Sequence, residues 1–348
     1  MGSAAPRKAL LASLAAGLLW CAVPPANALA QPSEAARAAS TFGPSADYRP
    51  PPGIAFKTAQ VISEGARLHA EIFYSSAMGG KKLPTVIMAH GWGGTAAEFR
   101  PDAVDLARAG FLVITFDYRG WGESASRVIL IGPEPPGDDD KVFTAKVQAI
   151  RGYIDPFEQI EDWFNVIDWA MDEPMVDPVR VGLRGTSFSG GYVVDIAALD
   201  PRIKAIVSDV GGIADRPDFA RLEKSPAYVA FAAKEHEQAA RMARGGTGYP
   251  PPFERSFGVL VGAPVGDKLL RWQPNTEAPF VHAPALFVLA GDDRINNNDT
   301  NGTLAYDRVK GPRKLVIIPG IRHFDIYTAK REEAIDLAIA WFDKYLKP

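Results

Sequence analysis

Cysteine is almost missing from this chain: one residue in 348, Cys21, which lies in an apolar run near the N-terminus. Beyond that run there is no thiol for a disulfide framework or a cysteine nucleophile. A charge excess is missing too. The 38 Lys and Arg stand against 41 Asp and Glu, a formal net charge of −3. That balance leaves no basic surplus for phosphates and argues against nucleic acid as the main partner. No HExxH, CxxC or histidine-rich spacing suggests a metal, and no glycine loop carries the lysine of a phosphate-binding P-loop. No cofactor is therefore expected. Histidine is scarce, at five residues, which narrows the search for a general base. Long hydrophobic runs are absent after Val23.

The N-terminal run has a layout of its own. Arg7 and Lys8 precede the apolar stretch Ala9 to Val23, then come Pro24-Pro25 and the small-residue pattern Ala28-Leu29-Ala30. A basic start, a short apolar stretch and an A-x-A site describe a secretory signal, and the stretch is short for a membrane span. Residues 1–30 are read as a signal peptide cleaved before Gln31, with Ala26-Asn27-Ala28 as a second site. The expectation is an exported protein, periplasmic or secreted, with no stable membrane insertion after cleavage. Trp20 stands where a lipoprotein signal wants a small residue before its cysteine, which argues against lipidation. Residues 31–52, rich in Ala, Ser and Pro, read as a flexible leader.

What remains, residues 53–348, is ordinary globular material, in a chain 47% hydrophobic and 23% charged. Strand-like runs fall at Thr58–Ser63, Leu68–Tyr74, Thr85–Ala89 and Phe111–Phe116, then at Val179–Leu183, Ala205–Val210, Ala285–Ala290 and Leu315–Ile318. Several are nearly continuous Val, Ile, Leu and Phe, as strands covered on both faces require. Helical stripes lie between the later ones. Ile160, Phe164, Ile167 and Met171 share one helix face, as do Ile335, Ala338, Phe342 and Tyr345. This alternation predicts an α/β fold with a mostly parallel sheet, helices on both sides and an antiparallel edge. Two stretches exceed the minimal repeat: Ser124 to Asp155, which includes Asp138-Asp139-Asp140, and a cap insertion at about 212–283. Ligands bind beyond the carboxyl ends of parallel strands, so insertions there would roof a site.

The sharpest local signal is Gly185-Thr186-Ser187-Phe188-Ser189-Gly190-Gly191, set between the strand VRVGLR and a helix-like segment. A serine on a tight strand-to-helix turn exposes its hydroxyl at a helix N-terminus, where an oxyanion finds positive potential. Two registers are open. Centring on Ser187 keeps the glycine two residues before it; centring on Ser189 keeps the glycine two residues after. Ser187 is preferred because it lies nearer the strand end. Two further motifs stand in the same chain: His90-Gly91-Trp92-Gly93-Gly94-Thr95 after the strand PTVIMA, and Phe116-Asp117-Tyr118-Arg119-Gly120-Trp121-Gly122-Glu123-Ser124.

Together these motifs resemble the α/β-hydrolase family, over nearly all of Phe56 to Pro348. GTSFSGG resembles its nucleophile elbow, with the departure that Ser189 replaces the final glycine of G-x-S-x-G. The resemblance implies an eight-stranded, mostly parallel sheet and an order of Ser, then Asp or Glu, then His. His323, in Pro319-Gly320-Ile321-Arg322-His323, stands where the family's base resides. The acid is implied at Asp293, after the strand ALFVLA, with Asp292 and Asp209 as alternatives. The HGWGG loop implies oxyanion donors at the amides of Trp92 and Phe188, each worth about 3 kcal/mol to a tetrahedral intermediate. His90 is read as structural, and DYRGWGES as charges pinning a neighbouring loop.

Within the class the chain is similar to dienelactone-hydrolase-like, X-prolyl dipeptidyl-peptidase-like and cocaine-esterase-like members. No dipeptide-amine anchor or added C-terminal sandwich domain is recognisable. The resemblance implies a serine hydrolase acting on a small-molecule ester or acyl substrate through an acyl-enzyme. Trp92, Trp121 and Phe188 are expected around an apolar mouth. An exported serine peptidase, a cofactor-free haloperoxidase-like activity and a non-catalytic binding protein of the same fold are the alternatives.

Overall fold

The computed structural model describes residues 41–136, 142–215, 223–245, 256–257 and 260–348. The proposed signal peptide, Cys21 and Asp138–Asp140 lie outside them. Eight strands make one sheet: β1 (Ile54–Ser63), β2 (Ala66–Ser75), β3 (Leu83–Ala89), β4 (Leu112–Phe116), β5 (Val176–Thr186), β6 (Ile203–Asp209), β7 (Ala285–Ala290) and β8 (Arg313–Ile318). Their order across the sheet is β1-β2-β4-β3-β5-β6-β7-β8. β2 runs antiparallel to both of its neighbours, and every other pairing is parallel. The eight expected strands are all present, and the antiparallel edge lies at the start of the chain. β3, β4 and β7 are buried along their whole length, which is why their sequences show no polar alternation.

Helices α1 (Arg100–Arg108), α2 (Pro156–Asp172), α3 (Phe188–Leu199), α4 (Pro226–Ala243), α5 (Gly266–Arg271), α6 (Gly302–Arg308) and α7 (Arg331–Leu346) connect or flank these strands. α2 and α3 cover one face with Trp163, Ile167, Val193 and Ile196; α1 and α7 cover the other with Leu106, Ile335 and Phe342. The stripe read on α7 is the buried one, except that Tyr345 is only partly covered. On α2 the stripe sits one step over. Trp163, Val166, Ile167 and Ala170 are fully buried, whereas Ile160, Phe164 and Met171 are at the margin. The reading passed over Trp163, whose indole N–H is satisfied by the Tyr118 hydroxyl at 2.8 Å. α2 begins at Asp155, whose carboxylate accepts from the Glu158 amide at 3.3 Å, with Pro156 in the first turn.

Of the first insertion, Arg127–Leu130 pairs antiparallel with Val147–Ile150. The second carries α4, α5 and a short strand, Ala263–Pro264, that pairs with Tyr153–Ile154. The two insertions are thus stitched to each other. The second half of the leader is packed, contrary to the flexible reading. Tyr48 is buried against Phe56 and Phe73, and Ser45 donates to Glu123 from its amide at 2.6 Å and its hydroxyl at 2.8 Å. The first half lies outside the described residues. Among the described residues no helix is long and apolar enough to cross a membrane.

A chain of buried charges runs beneath the carboxyl ends of the central strands. Arg184 of β5 donates to Asp209 at 2.7 Å and to Asp102 at 2.6 Å, and Asp102 also accepts from Arg331 at 2.6 Å. Removing one member strands the others in low dielectric. Arg184→Leu should therefore destabilise the protein by about 3–5 kcal/mol in urea unfolding. Breaking the exposed Lys57–Glu173 pair with Lys57→Met should cost about 1 kcal/mol or less. Equal losses would contradict this reading of the network.

Candidate active site

β5 ends at Thr186 and α3 begins at Phe188, so Ser187 alone makes the turn between them. Its backbone sits at φ 53° and ψ −118°, a conformation an L-residue adopts only when its surroundings force it. Those surroundings are visible. The Ser187 amide donates to the Asp209 carbonyl at 2.8 Å, and the Ser187 carbonyl accepts from Gly190 at 2.9 Å and Gly212 at 2.8 Å. A β-carbon on Gly185 would collide with the Ser189 carbonyl, and one on Gly190 would lie 2.6 Å from the Gly211 α-carbon. The glycines on both sides of the turn are thus required by its tightness. They permit the helix to start flush against the strand, with its first amides facing the serine.

Ser187 Oγ lies 2.9 Å from His323 Nε2, and His323 Nδ1 lies 2.7 Å from Asp293 Oδ2. The three residues come from the carboxyl ends of β5, β7 and β8. The imidazole is buried and the Asp293 side chain is fully covered. Burial pushes the Asp293 carboxyl up, but the bond from His323 and the amides of Asn296 and Ile295 pull harder, and it ends below the usual range. Those amides meet Asp293 Oδ1 at 3.0 and 2.8 Å. An ionised carboxylate only accepts, so Nδ1 carries the proton and Nε2 is free to accept from the serine hydroxyl. A hydroxyl, an imidazole and a carboxylate in this order can pass a proton from oxygen to nitrogen.

The other candidates stand elsewhere. Ser189 is inside α3, fully buried, its hydroxyl bonded to that of Tyr118. Asp209 is engaged with Arg184, and Asp292 is exposed. His90 is buried with Nδ1 2.9 Å from the Gly91 carbonyl, and burial lowers its pKa to about 4, so it is neutral and held in the loop. His236 and His282 are exposed and far along other elements. Asp117 accepts from the amides of Ala96 at 2.7 Å and Glu123 at 2.8 Å, which is the pinning role read for DYRGWGES. Trp121 is a correction: it is buried against Gly262, its indole donating to the Tyr153 carbonyl at 2.8 Å, and not at the mouth.

The HGWGG loop passes directly over the serine. A β-carbon on Gly91 would sit 2.8 Å from Ser187 Cβ and 3.4 Å from the Phe188 amide nitrogen. Trp92 and Phe188 stack edge-on at 5.3 Å, and Phe188 packs on Trp272 at 4.5 Å. Beside them opens a cavity of about 370 Å³ that includes Ser187, Trp92, Leu260 and Phe324 in its lining. Three of its features escaped the sequence reading. Tyr327 brings its hydroxyl against Thr186 and Ser187. Glu98 lines the cavity, and partial desolvation there pushes its carboxyl up. Phe42 arrives from the leader. None sits in a local motif, so only the fold could assemble them.

Residues 64–244 match the family model described as X-Pro dipeptidyl-peptidase (S15 family). The chain belongs to this family of α/β-hydrolases. An uncharacterised 31.7 kDa protein from the traX-finO intergenic region of Escherichia coli is 30% identical, across 77% of this chain and 93% of its own. The quorum-quenching protein AidA of Acinetobacter baumannii is 26% identical across 72% and 83%. Among solved structures, a hypothetical protein of Pseudomonas aeruginosa superposes with a TM-score of 0.66 at 19% identity, across 86% and 96%. Other matches are named a thiohydrolase of Aspergillus aculeatus, a polyketide transferase of Penicillium crustosum and an acetyl xylan esterase of Paenibacillus.

Behind the elbow of this α/β-hydrolase lies a titratable group that the relay does not use. Asp195 of α3 is buried, accepts from the Trp272 indole at 2.5 Å, and is raised from 3.8 to about 7, first by burial and then by Glu277. The folded state therefore holds this proton more tightly than the unfolded chain, and stability falls as pH rises through that range. Asp195→Asn keeps an acceptor for Trp272 but cannot ionise. Its melting temperature should exceed that of the parent by several degrees at pH 8, with the gap narrowing as pH falls and closing near about pH 4. A pH-independent difference would contradict the assignment.

Proposed function

We propose that the chain is an exported carboxylic ester hydrolase that works through an acyl-enzyme on Ser187. The observation that carries the reading is the continuous path Ser187 Oγ, His323 Nε2, His323 Nδ1, Asp293 Oδ2, at 2.9 and 2.7 Å. His323 takes the hydroxyl proton as Ser187 attacks the ester carbonyl, and Asp293 stabilises the imidazolium that forms. The amides of Trp92 and Phe188 receive the negative oxygen. His323 returns its proton to the departing alcohol. Water then attacks the acyl carbonyl as His323 takes its proton; the bond from Ser187 Oγ to the acyl carbon breaks, His323 returns the proton to Ser187 Oγ, and the acid leaves.

An ester as substrate is supported by the acetyl xylan esterases among the fold neighbours, and by the structure of Est1E from Butyrivibrio proteoclasticus with ferulic acid bound. The cap of this reading is supported by Leu260 of the second insertion, which lines the cavity beside Ser187, and by the pairing of Ala263–Pro264 with Tyr153–Ile154. Export rests on the layout of residues 1–30. The peptidase in the family's description is the second reading, and the match that carries it ends at residue 244, before Asp293 and His323.

Turnover of 4-nitrophenyl acetate should show a pre-steady-state burst of about one equivalent per Ser187, the signature of an accumulating acyl-enzyme. Ser187→Ala should lower kcat by a factor on the order of 10⁴ or more, and Asp293→Asn by roughly 10³–10⁴. Aminoacyl anilides cleaved as fast as the nitrophenyl ester would transfer the assignment to the peptidase reading. His323→Ala with kcat within tenfold of the parent would remove His323 from its role.

A further inference from the structure

The packed end of the leader reaches the cavity beside Ser187, and the way it is held there is unusual. Arg100, fully buried at the start of α1, donates from one nitrogen to the carbonyls of Thr41 at 2.7 Å and Gly43 at 2.8 Å. These are the two carbonyls that bracket Phe42. The other edge of the guanidinium is gripped by both oxygens of Glu71, and Tyr48 lies across its face at 4.6 Å from ring centroid to carbon. A second grip follows at once, where Glu123 takes the amide and hydroxyl of Ser45. Burying an ion pair is costly unless its geometry is fixed and its hydrogen bonds are complete. Here the buried charge spends its free donors on a three-residue stretch whose central side chain is not part of the core. Phe42 is 55% exposed, and the open space it borders is the Ser187 cavity.

We propose that Phe42 is a specificity-determining residue: a wall, fixed by Arg100, that limits the length of the apolar arm a substrate can lay beside Ser187. This rests on the esterase reading above. The apolar residues that share this lining, Phe99, Leu260 and Phe324, match a hydrocarbon or aromatic arm. Arg100 is a positioning residue, acting through the backbone on either side of Phe42. A wall of this kind discriminates by steric fit. One methylene too many or too few in an apolar pocket is worth about tenfold or more in kcat/KM.

The test measures kcat/KM over two series, 4-nitrophenyl esters from acetate to octanoate and acetate esters from ethanol to octanol. Phe42→Ala removes the wall and should raise the long-to-short ratio in one series by about tenfold. Phe42→Trp extends it and should lower the same ratio. The exposure of Phe42 makes both substitutions compatible with folding, and opposite signs cannot come from general destabilisation. Ratios that stay at the parent value in both series, or that move the same way in both variants, would overturn the proposal. No ester turnover by the parent protein would instead refute the esterase reading, so the two failures are distinct.

Discussion

Everything at this site depends on the backbone of Ser187 being held at positive φ. The turn is unfavourable by itself, and no side chain of Ser187 relieves it. It persists because the Ser187 amide is bonded to the end of β6, its carbonyl is bonded twice within the opening turn of α3 and the loop after β6, and Gly185 lets the helix meet the strand without a β-carbon between them. Strain of this kind costs on the order of 1–3 kcal/mol and must be over-determined by its surroundings. The return is geometric. A hydroxyl is lifted off the sheet edge, set at a helix N-terminus, and placed under the HGWGG loop.

That one constraint explains the layers beneath. Asp209 supplies the carbonyl that ties the Ser187 amide, so its position must be fixed, and its carboxylate is fixed by Arg184. Arg184 in turn is shared with Asp102, which reaches Arg331 on the last helix. An aspartate that looked like a spare acid is thus an anchor for the turn. Asp293 differs in kind. Its neighbours are two loop amides and an imidazole, all donors, which is the environment that keeps a covered carboxylate ionised beside a base.

Much of this was legible from residue order alone. The strand runs were apolar enough to be read one by one, because burial on both faces removes the polar alternation that blurs shorter signals. The register at GTSFSGG was harder, since either serine kept one glycine of the motif. Three-dimensional contact separates them: Gly185 is pressed by the Ser189 carbonyl, and the Ser189 hydroxyl is taken by Tyr118. Residues that owe their place to long-range packing were not legible. Trp121 reads as an exposed aromatic of a glycine-rich loop, yet Gly262, far along the chain, closes over it. Phe42 and Tyr48 sit in a stretch whose composition suggests disorder, and only a buried arginine from α1 gives that stretch a fixed course. Composition reports what a segment is able to bury, and it is silent on what a distant charge can hold.

The most direct test of the central assignment is covalent labelling of the folded protein with a fluorophosphonate, followed by proteolysis and mass mapping of the adduct. A nucleophile raised on this turn and served by His323 should give one adduct per chain, on Ser187. An adduct on Ser189, or a folded protein that takes no label, would contradict it.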